Sequence, residues 1–185
     1  MLIVGIDEVG RGCWAGPMVA GAVVLDCAIA GLKDSKLLLK SERERLAAII
    51  HKKALAVGRG WVPAVELDQV GLTEAVRLAM QRAIEQIEVP YDSIIIDGNY
   101  NFLADLPNAQ TMIKADSSVP AVSAASIVAK VARDQYMAKI GQQYPNYGFD
   151  RHVGYGTKLH LEMLKLHGVC ELHRRSFRPV RELLA

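Results

Sequence analysis

Cysteine is scarce in this chain: Cys13, Cys27 and Cys170 are the only three in 185 residues, and no two of them stand in C-x-x-C spacing. An odd, scattered set argues against both a disulfide framework and a zinc site, and reads as plain thiols. No apolar run comes near the ~20 residues that cross a bilayer. Met1 opens directly into Leu2, Ile3 and Val4 with acids close behind, so neither a membrane contact nor a secretory leader is expected, and the expected address is the cytoplasm. Low-complexity tracts and charge blocks are also missing, which leaves one domain over residues 1–185 as the simplest organisation. The five histidines, His51, His152, His160, His167 and His173, show no tight ligand spacing and carry no expected catalytic role.

Hydrophobic residues make up 51% and charged residues 23% of the chain, an ordinary globular balance that excludes disorder. The net charge of +2 is unevenly placed. Residues 150–185 hold seven Lys or Arg against four acids, a surplus of +3 that leaves −1 for residues 1–149 and suggests an anionic partner.

Residues 2–6 and 18–25 are rich in Val, Ile and Leu and read as a strand pair. Ser41 with Glu44 fits a capping box, and Leu46, Ile49, Ile50, Ala54 and Val57 keep helical spacing until Gly58 stops it. A short strand at 60–62 precedes a second apolar stripe from Leu72 to Ile87, closed by Pro90. The run Ile94 to Ile96 ends in Asp97 and a Gly98-Asn99 turn. Another strand is expected at 110–114, a long helix from Ala121 to about Ile140, a glycine-rich loop "YPNYGFDRHVGYGT", and a last helix from Lys158 to His167. This order points to an α/β mixed sheet flanked by helices.

Asp7 and Asp97 both end apolar strands, the place where open α/β sheets put their ligand crevice. Asp116 lies ahead of the long helix and Asp134 within it. Oxygen ligands without a Cys or His cluster suit Mg2+ or Mn2+. Such a site supports phosphoryl-transfer chemistry, in which paired ions about 3.5 to 4 Å apart activate water and stabilise the leaving oxygen. A lone Asp at a strand end is often only a cap or turn former, and Asp134 beside Arg133 also reads as a solvated acid. Glu8 is harder to explain away, because a second charge directly after an apolar strand serves neither burial nor solubility.

Residues 10–15 fit G-x-G-x-x-[GA], the pattern of a dinucleotide site. A strand rather than a helix follows, and Asp7 with Glu8 would repel a pyrophosphate, so that reading is rejected. The glycines are instead expected to bring backbone amides close to a ligand, with Arg11 available for phosphate.

The chain resembles the type 2 ribonucleases H, specifically the bacterial ribonuclease HII family. The resemblance rests on "GIDEVGRG" with "AGP", "DSK" at 34–36, "IIIDGN", "KAD" at 114–116, "SAASIVAKVARD", "YPNYGF", "GYGTKLH" and "HRRSF", in the family's order from Ile3 to Phe177. It implies a ribonuclease H-like fold with a helical C-terminal extension at about 141–185. It also implies a site of four catalytic, metal-holding acids, Asp7, Glu8, Asp97 and Asp116, with Asp134 as an additional acid nearby. By the same resemblance Gly10, Arg11 and Gly12 read the substrate, and Tyr155 senses the ribose 2′-hydroxyl. Lys36, Lys158, Arg174 and Arg175 are then expected on backbone phosphates. The implied activity is metal-dependent cleavage of the RNA strand of RNA/DNA hybrids, and cleavage 5′ of single ribonucleotides in duplex DNA, by a monomer, leaving 3′-hydroxyl and 5′-phosphate ends. Cys13-Trp14 departs from the Pro-Leu more usual in the family, and "KLLLK" from its polar run; neither touches an expected ligand. A related nuclease, a hybrid-binding protein without catalysis and a small-molecule phosphatase are the rivals. The GRG and GYGT elements, the intact acids and the basic C-terminal region stand against them in turn.

Overall fold

The computed structural model describes residues 1–184. Five strands, β1 (Ile3–Val9), β2 (Met18–Val24), β3 (Ala56–Val62), β4 (Ser93–Asp97) and β5 (Ala109–Met112), form one sheet in the order β3-β2-β1-β4-β5. β1, β2 and β3 are antiparallel neighbours, whereas β4 and β5 run parallel to β1. The expected mixed sheet flanked by helices is present.

Eight helices surround it: α1 (Lys40–Lys53), α2 (Ala64–Val70), α3 (Leu72–Ile84), α4 (Ala115–Ser118), α5 (Pro120–Gln143), α6 (Phe149–His152), α7 (Lys158–His167) and α8 (Arg178–Arg181). Strand alternation divides the core. Val4, Ile6, Ala20, Ala22, Ile94 and Ile96 pack with Val76, Ala79, Met80 and Ala83 of α3. On the opposite face Val23 packs with Leu46 and Ile50 of α1 and with Ala124, Ile127 and Val128 of α5. Both faces need glycine in the strands. A Cβ on Gly5 would lie 2.2 Å from the Ala121 carbonyl carbon, and one on Gly60 1.8 Å from the Ala79 oxygen. Without side chains there, α5 and α3 lie directly on the sheet.

Several boundaries differ from the sequence reading. α1 ends at Lys53, and Val57 and Gly58 lie inside β3, because Gly58 is required beneath Ala83 of α3, whose oxygen a Cβ would approach to 2.0 Å. At the start of α1 it is Glu42 that caps, its side chain accepting from the Leu39 amide at 3.2 Å, and not the Ser41 and Glu44 pair. α3 stops at Ile84, and β5 stops at Met112 because Lys114 turns left-handed at φ 58 and ψ 35. α2, α4, α6 and α8 are additional short helices.

Candidate active site

β1 and β4 are parallel neighbours with Ile6 opposite Ile96, so Asp7 and Asp97 leave adjacent strand ends side by side. Both follow residues packed on α3, and alternation sends their side chains to the α5 face. Asp116 comes from α4. The left-handed Lys114 reverses the chain after β5, so the Asp116 amide donates to Asp97 Oδ1 at 3.4 Å, while the Ser123 hydroxyl donates to the Asp116 carbonyl. One carboxylate oxygen from each of Asp7, Asp97 and Asp116 lies within 4.8 Å of the others.

Electrostatics mark the cluster as incomplete without a cation. Burial first, then Glu8 and Asp97, pushes the Asp7 carboxyl up to about 8, although the Ser126 hydroxyl and the Glu8 amide pull it down. Asp116 is raised by burial and by Asp97 and Asp34, with Lys36 opposing. Carboxylates held this close repel one another in the absence of a counter-charge. An all-oxygen donor set with no Cys or His fits a hard divalent cation, so Asp7, Asp97 and Asp116 are the residues that would hold one.

Glu8 and Asp134 stand outside this cluster among the described residues. Glu8 follows Asp7 in the same strand and therefore points to the other face; its Oε1 accepts from Arg11 Nη1 at 3.3 Å. Asp134 accepts from Lys130 Nζ at 2.8 Å and lies 3.9 Å from Arg43 Nη2. Strand alternation was the available signal that Asp7 and Glu8 diverge.

Among the expected basic contacts, Lys36 is exposed and its Nζ lies 3.9 Å from Asp116 Oδ2, beside the cluster. Its turn is tied in place from three sides: Asp34 accepts from the Lys36 amide at 2.9 Å, Ser35 meets Ser126 at 2.8 Å, and Arg43 donates to the Ser35 and Leu38 carbonyls. Lys158 is exposed with Glu162 at 3.9 Å. The Arg175 amide donates to Asp68 of α2 at 2.7 Å while its side chain is exposed. Arg174 departs from expectation. It is fully buried, and its guanidinium donates to Gly10, Arg11 and Gly16 carbonyls, so it cannot face a phosphate.

Residues 10–12 leave the end of β1 beside the carboxylates. Gly10 needs its φ of +99°, and a Cβ there would lie 2.6 Å from Arg133 Nε. The Arg11 and Gly12 amides have no intramolecular acceptor among the described residues. Their loop is joined to Tyr155 by the Cys13–Tyr155 bridge and by the Trp14 and Ala15 amides, which donate to the Gly154 carbonyl at 2.8 and 3.3 Å. The half-exposed Tyr155 ring has Lys130 Nζ 5.5 Å and Arg133 Cζ 5.9 Å from its centroid. Gly156 is required there, since a Cβ would meet Trp14 Cε2 at 2.1 Å.

The sequence reading missed Arg133, which is fully buried and donates to Pro17, Val153 and Ala15 carbonyls at 2.9, 2.8 and 3.0 Å. A cation within the apolar run of α5 was the signal. His152, His160 and His173 form a buried group beneath Tyr155, with His160 Nε2 and His173 Nε2 3.0 Å apart. Burial lowers His160 and His173 to about 4, so both are neutral supports.

The chain is similar to known proteins over nearly its whole length. The family model described as Ribonuclease HII matches residues 4–180. A Ribonuclease HII from Nitrosococcus oceani is 49% identical over 184 residues, covering 98% of this chain and 91% of that protein. The crystal structure of the ribonuclease H2 from Pyrococcus horikoshii OT3 superposes with a TM-score of 0.84 at 27% identity, covering 99% of this chain and 97% of that one. The RNase HII in a PCNA:RNase HII complex from Archaeoglobus fulgidus gives a TM-score of 0.83 at 25% identity, covering 96% of each chain.

Proposed function

The chain belongs to the ribonuclease HII family, and from that premise we propose that it cleaves the RNA strand of RNA/DNA hybrids and nicks duplex DNA 5′ of a single embedded ribonucleotide. The observation that carries this reading is the convergence of Asp7, Asp97 and Asp116 oxygens within 4.8 Å, next to a loop with free backbone amides. Asp7, Asp97 and Asp116 would hold Mg2+ or Mn2+, which when bound would supply an activated water and neutralise charge on the phosphate.

The remaining work falls to the chain's own side chains. Asp7 and Asp97, fixed on adjacent strand ends, hold the centre, and Asp116 closes it from α4. Glu8 completes the acidic rim while engaging Arg11. Asp134 acts at a distance, by holding Lys130 against the Tyr155 ring. The Arg11 and Gly12 amides and the Tyr155 hydroxyl are suitable partners for a ribose 2′-hydroxyl, the group that separates RNA from DNA. Lys36 is placed to meet the phosphate nearest Asp116, and the exposed Lys158 and Arg175 to meet phosphates further along. Water adds to phosphorus, the P–O3′ bond breaks and the departing O3′ takes up a proton, which leaves 3′-hydroxyl and 5′-phosphate ends.

The same reading has residues 1–185 acting as one catalytic unit, a cytoplasmic monomer that removes ribonucleotides from DNA. No helix among residues 1–184 is long and apolar enough to cross a membrane. A gel assay of an RNA/DNA hybrid in Mg2+, Mn2+ and EDTA tests the proposal. Cleavage of the RNA strand with either ion and none in EDTA is expected, and cleavage that persists in EDTA would remove the metal centre from the account.

A further inference from the structure

We propose that Arg174 is a specificity-determining positioning residue, whose buried guanidinium holds residues 10–16 in the shape that presents the Arg11 and Gly12 amides to a sugar. The inference rests on the reading of that loop and Tyr155 as the elements that meet the ribose.

Every hydrogen bond of the Arg174 guanidinium goes to this one loop. Nη1 donates to the Gly10 carbonyl at 2.6 Å and to Arg11 at 3.2 Å, and Nε and Nη2 donate to Gly16 at 3.1 and 3.0 Å. Carbonyls of Gly10 and Arg11 are thus turned inward. The backbone of Arg174 adds a fourth tie, its amide donating to Trp14 at 2.7 Å. No carboxylate bonds the guanidinium, and its Cζ lies 5.1 Å from the Phe177 ring centroid.

Burying a cation in this way is costly, and an apolar side chain could fill the same volume. What an apolar side chain could not do is bridge carbonyls six residues apart, a task suited to a planar fork with five donors. Arg133 grips the far side of the same loop through the Ala15 and Pro17 carbonyls, and it reaches Val153 beside Tyr155. Loop and tyrosine are consequently one preformed unit, whose geometry Arg174 sets from the C-terminal segment.

The test uses the full chain carrying Arg174→Lys, which keeps the charge but cannot span Gly10 and Gly16 together. Phe177→Leu, which loosens the guanidinium without removing it, is the second variant should Arg174→Lys fail to fold. Fluorescence anisotropy in EDTA measures affinity for a DNA duplex with one ribonucleotide and for the same duplex all in DNA, with the strands checked intact on a gel. Wild type is expected to prefer the ribonucleotide duplex. Either variant is expected to lose about fivefold of that preference, the net worth of one hydrogen bond, while affinity for the DNA duplex holds. Hydrogen exchange at the Trp14, Ala15 and Gly16 amides is expected to quicken.

A merely structural role lowers both affinities alike and leaves their ratio untouched, and an unchanged ratio in a folded variant would overturn the inference. Absence of any preference in wild type would instead overturn the reading of residues 10–12 and Tyr155, and the inference with it.

Discussion

Replacing Asp7 with Asn should stabilise the metal-free protein, and more so as the pH rises. Asp7 is 6% exposed, and burial with the charges of Glu8 and Asp97 lifts its carboxyl from 3.8 to about 8. A carboxyl raised on folding contributes stability that is fully present below the unfolded value of 3.8. That contribution declines as the folded protein holds a proton the unfolded chain has released, and it is gone once the pH passes through about 8. At about 1.4 kcal/mol per pKa unit, the span corresponds to roughly 6 kcal/mol between acid and alkaline conditions. Asn keeps an oxygen for the Glu8 amide, 2.8 Å from Asp7 Oδ1, and carries no charge. Urea unfolding in EDTA at about pH 5 and about pH 8.5 reads the difference directly. Asp7→Asn should exceed wild type by several kcal/mol at the higher pH and match it more closely at the lower. Saturating Mg2+ or Mn2+ should reverse the order, because the ion binds the folded wild type. A variant less stable than wild type in EDTA at pH 8.5, or a gap independent of pH, would refute the reasoning.

Asp97→Asn should lower hybrid cleavage by about a thousandfold while leaving hybrid binding largely intact, as expected for loss of several kcal/mol of charge stabilisation; full turnover in Mg2+ would remove Asp97 from the centre. Tyr155→Ala should cut the rate at a lone ribonucleotide by about tenfold or more, the scale of a lost aromatic contact, and an unchanged rate would take Tyr155 out of sugar recognition. Gly60→Ala should lower stability by about 2 kcal/mol or more through the clash with Ala79, seen as a depressed Tm, whereas an unshifted Tm would mean that α3 can move off β3.

The elements most legible in the sequence were those fixed by local pattern. β1, β2 and β4 followed from Val and Ile runs, and α3 and α5 from apolar stripes at helical period. β3 was cut short because Gly58 read as the stop of the preceding helix, when tertiary contact with α3 is what requires it. α2 is seven residues long with no side-chain cap, too short for a periodic signal. The acids at the strand ends stood out because charge there conflicts with burial, and that conflict is the centre's own property. Arg174 gave no such signal: its partners are backbone carbonyls of residues 10, 11 and 16, which only the folded chain brings to it.

The central claim is that a carboxylate centre and a sugar-contacting loop, built on one strand end, act together on a single ribonucleotide. The most direct measurement is to map, at single-nucleotide resolution, the nick in a DNA duplex carrying one ribonucleotide, with Mg2+ or Mn2+ and with EDTA. The account predicts one metal-dependent nick on the 5′ side of the ribonucleotide, with a 3′-hydroxyl that a polymerase extends. No metal-dependent nick, or one placed without regard to the ribonucleotide, would contradict it.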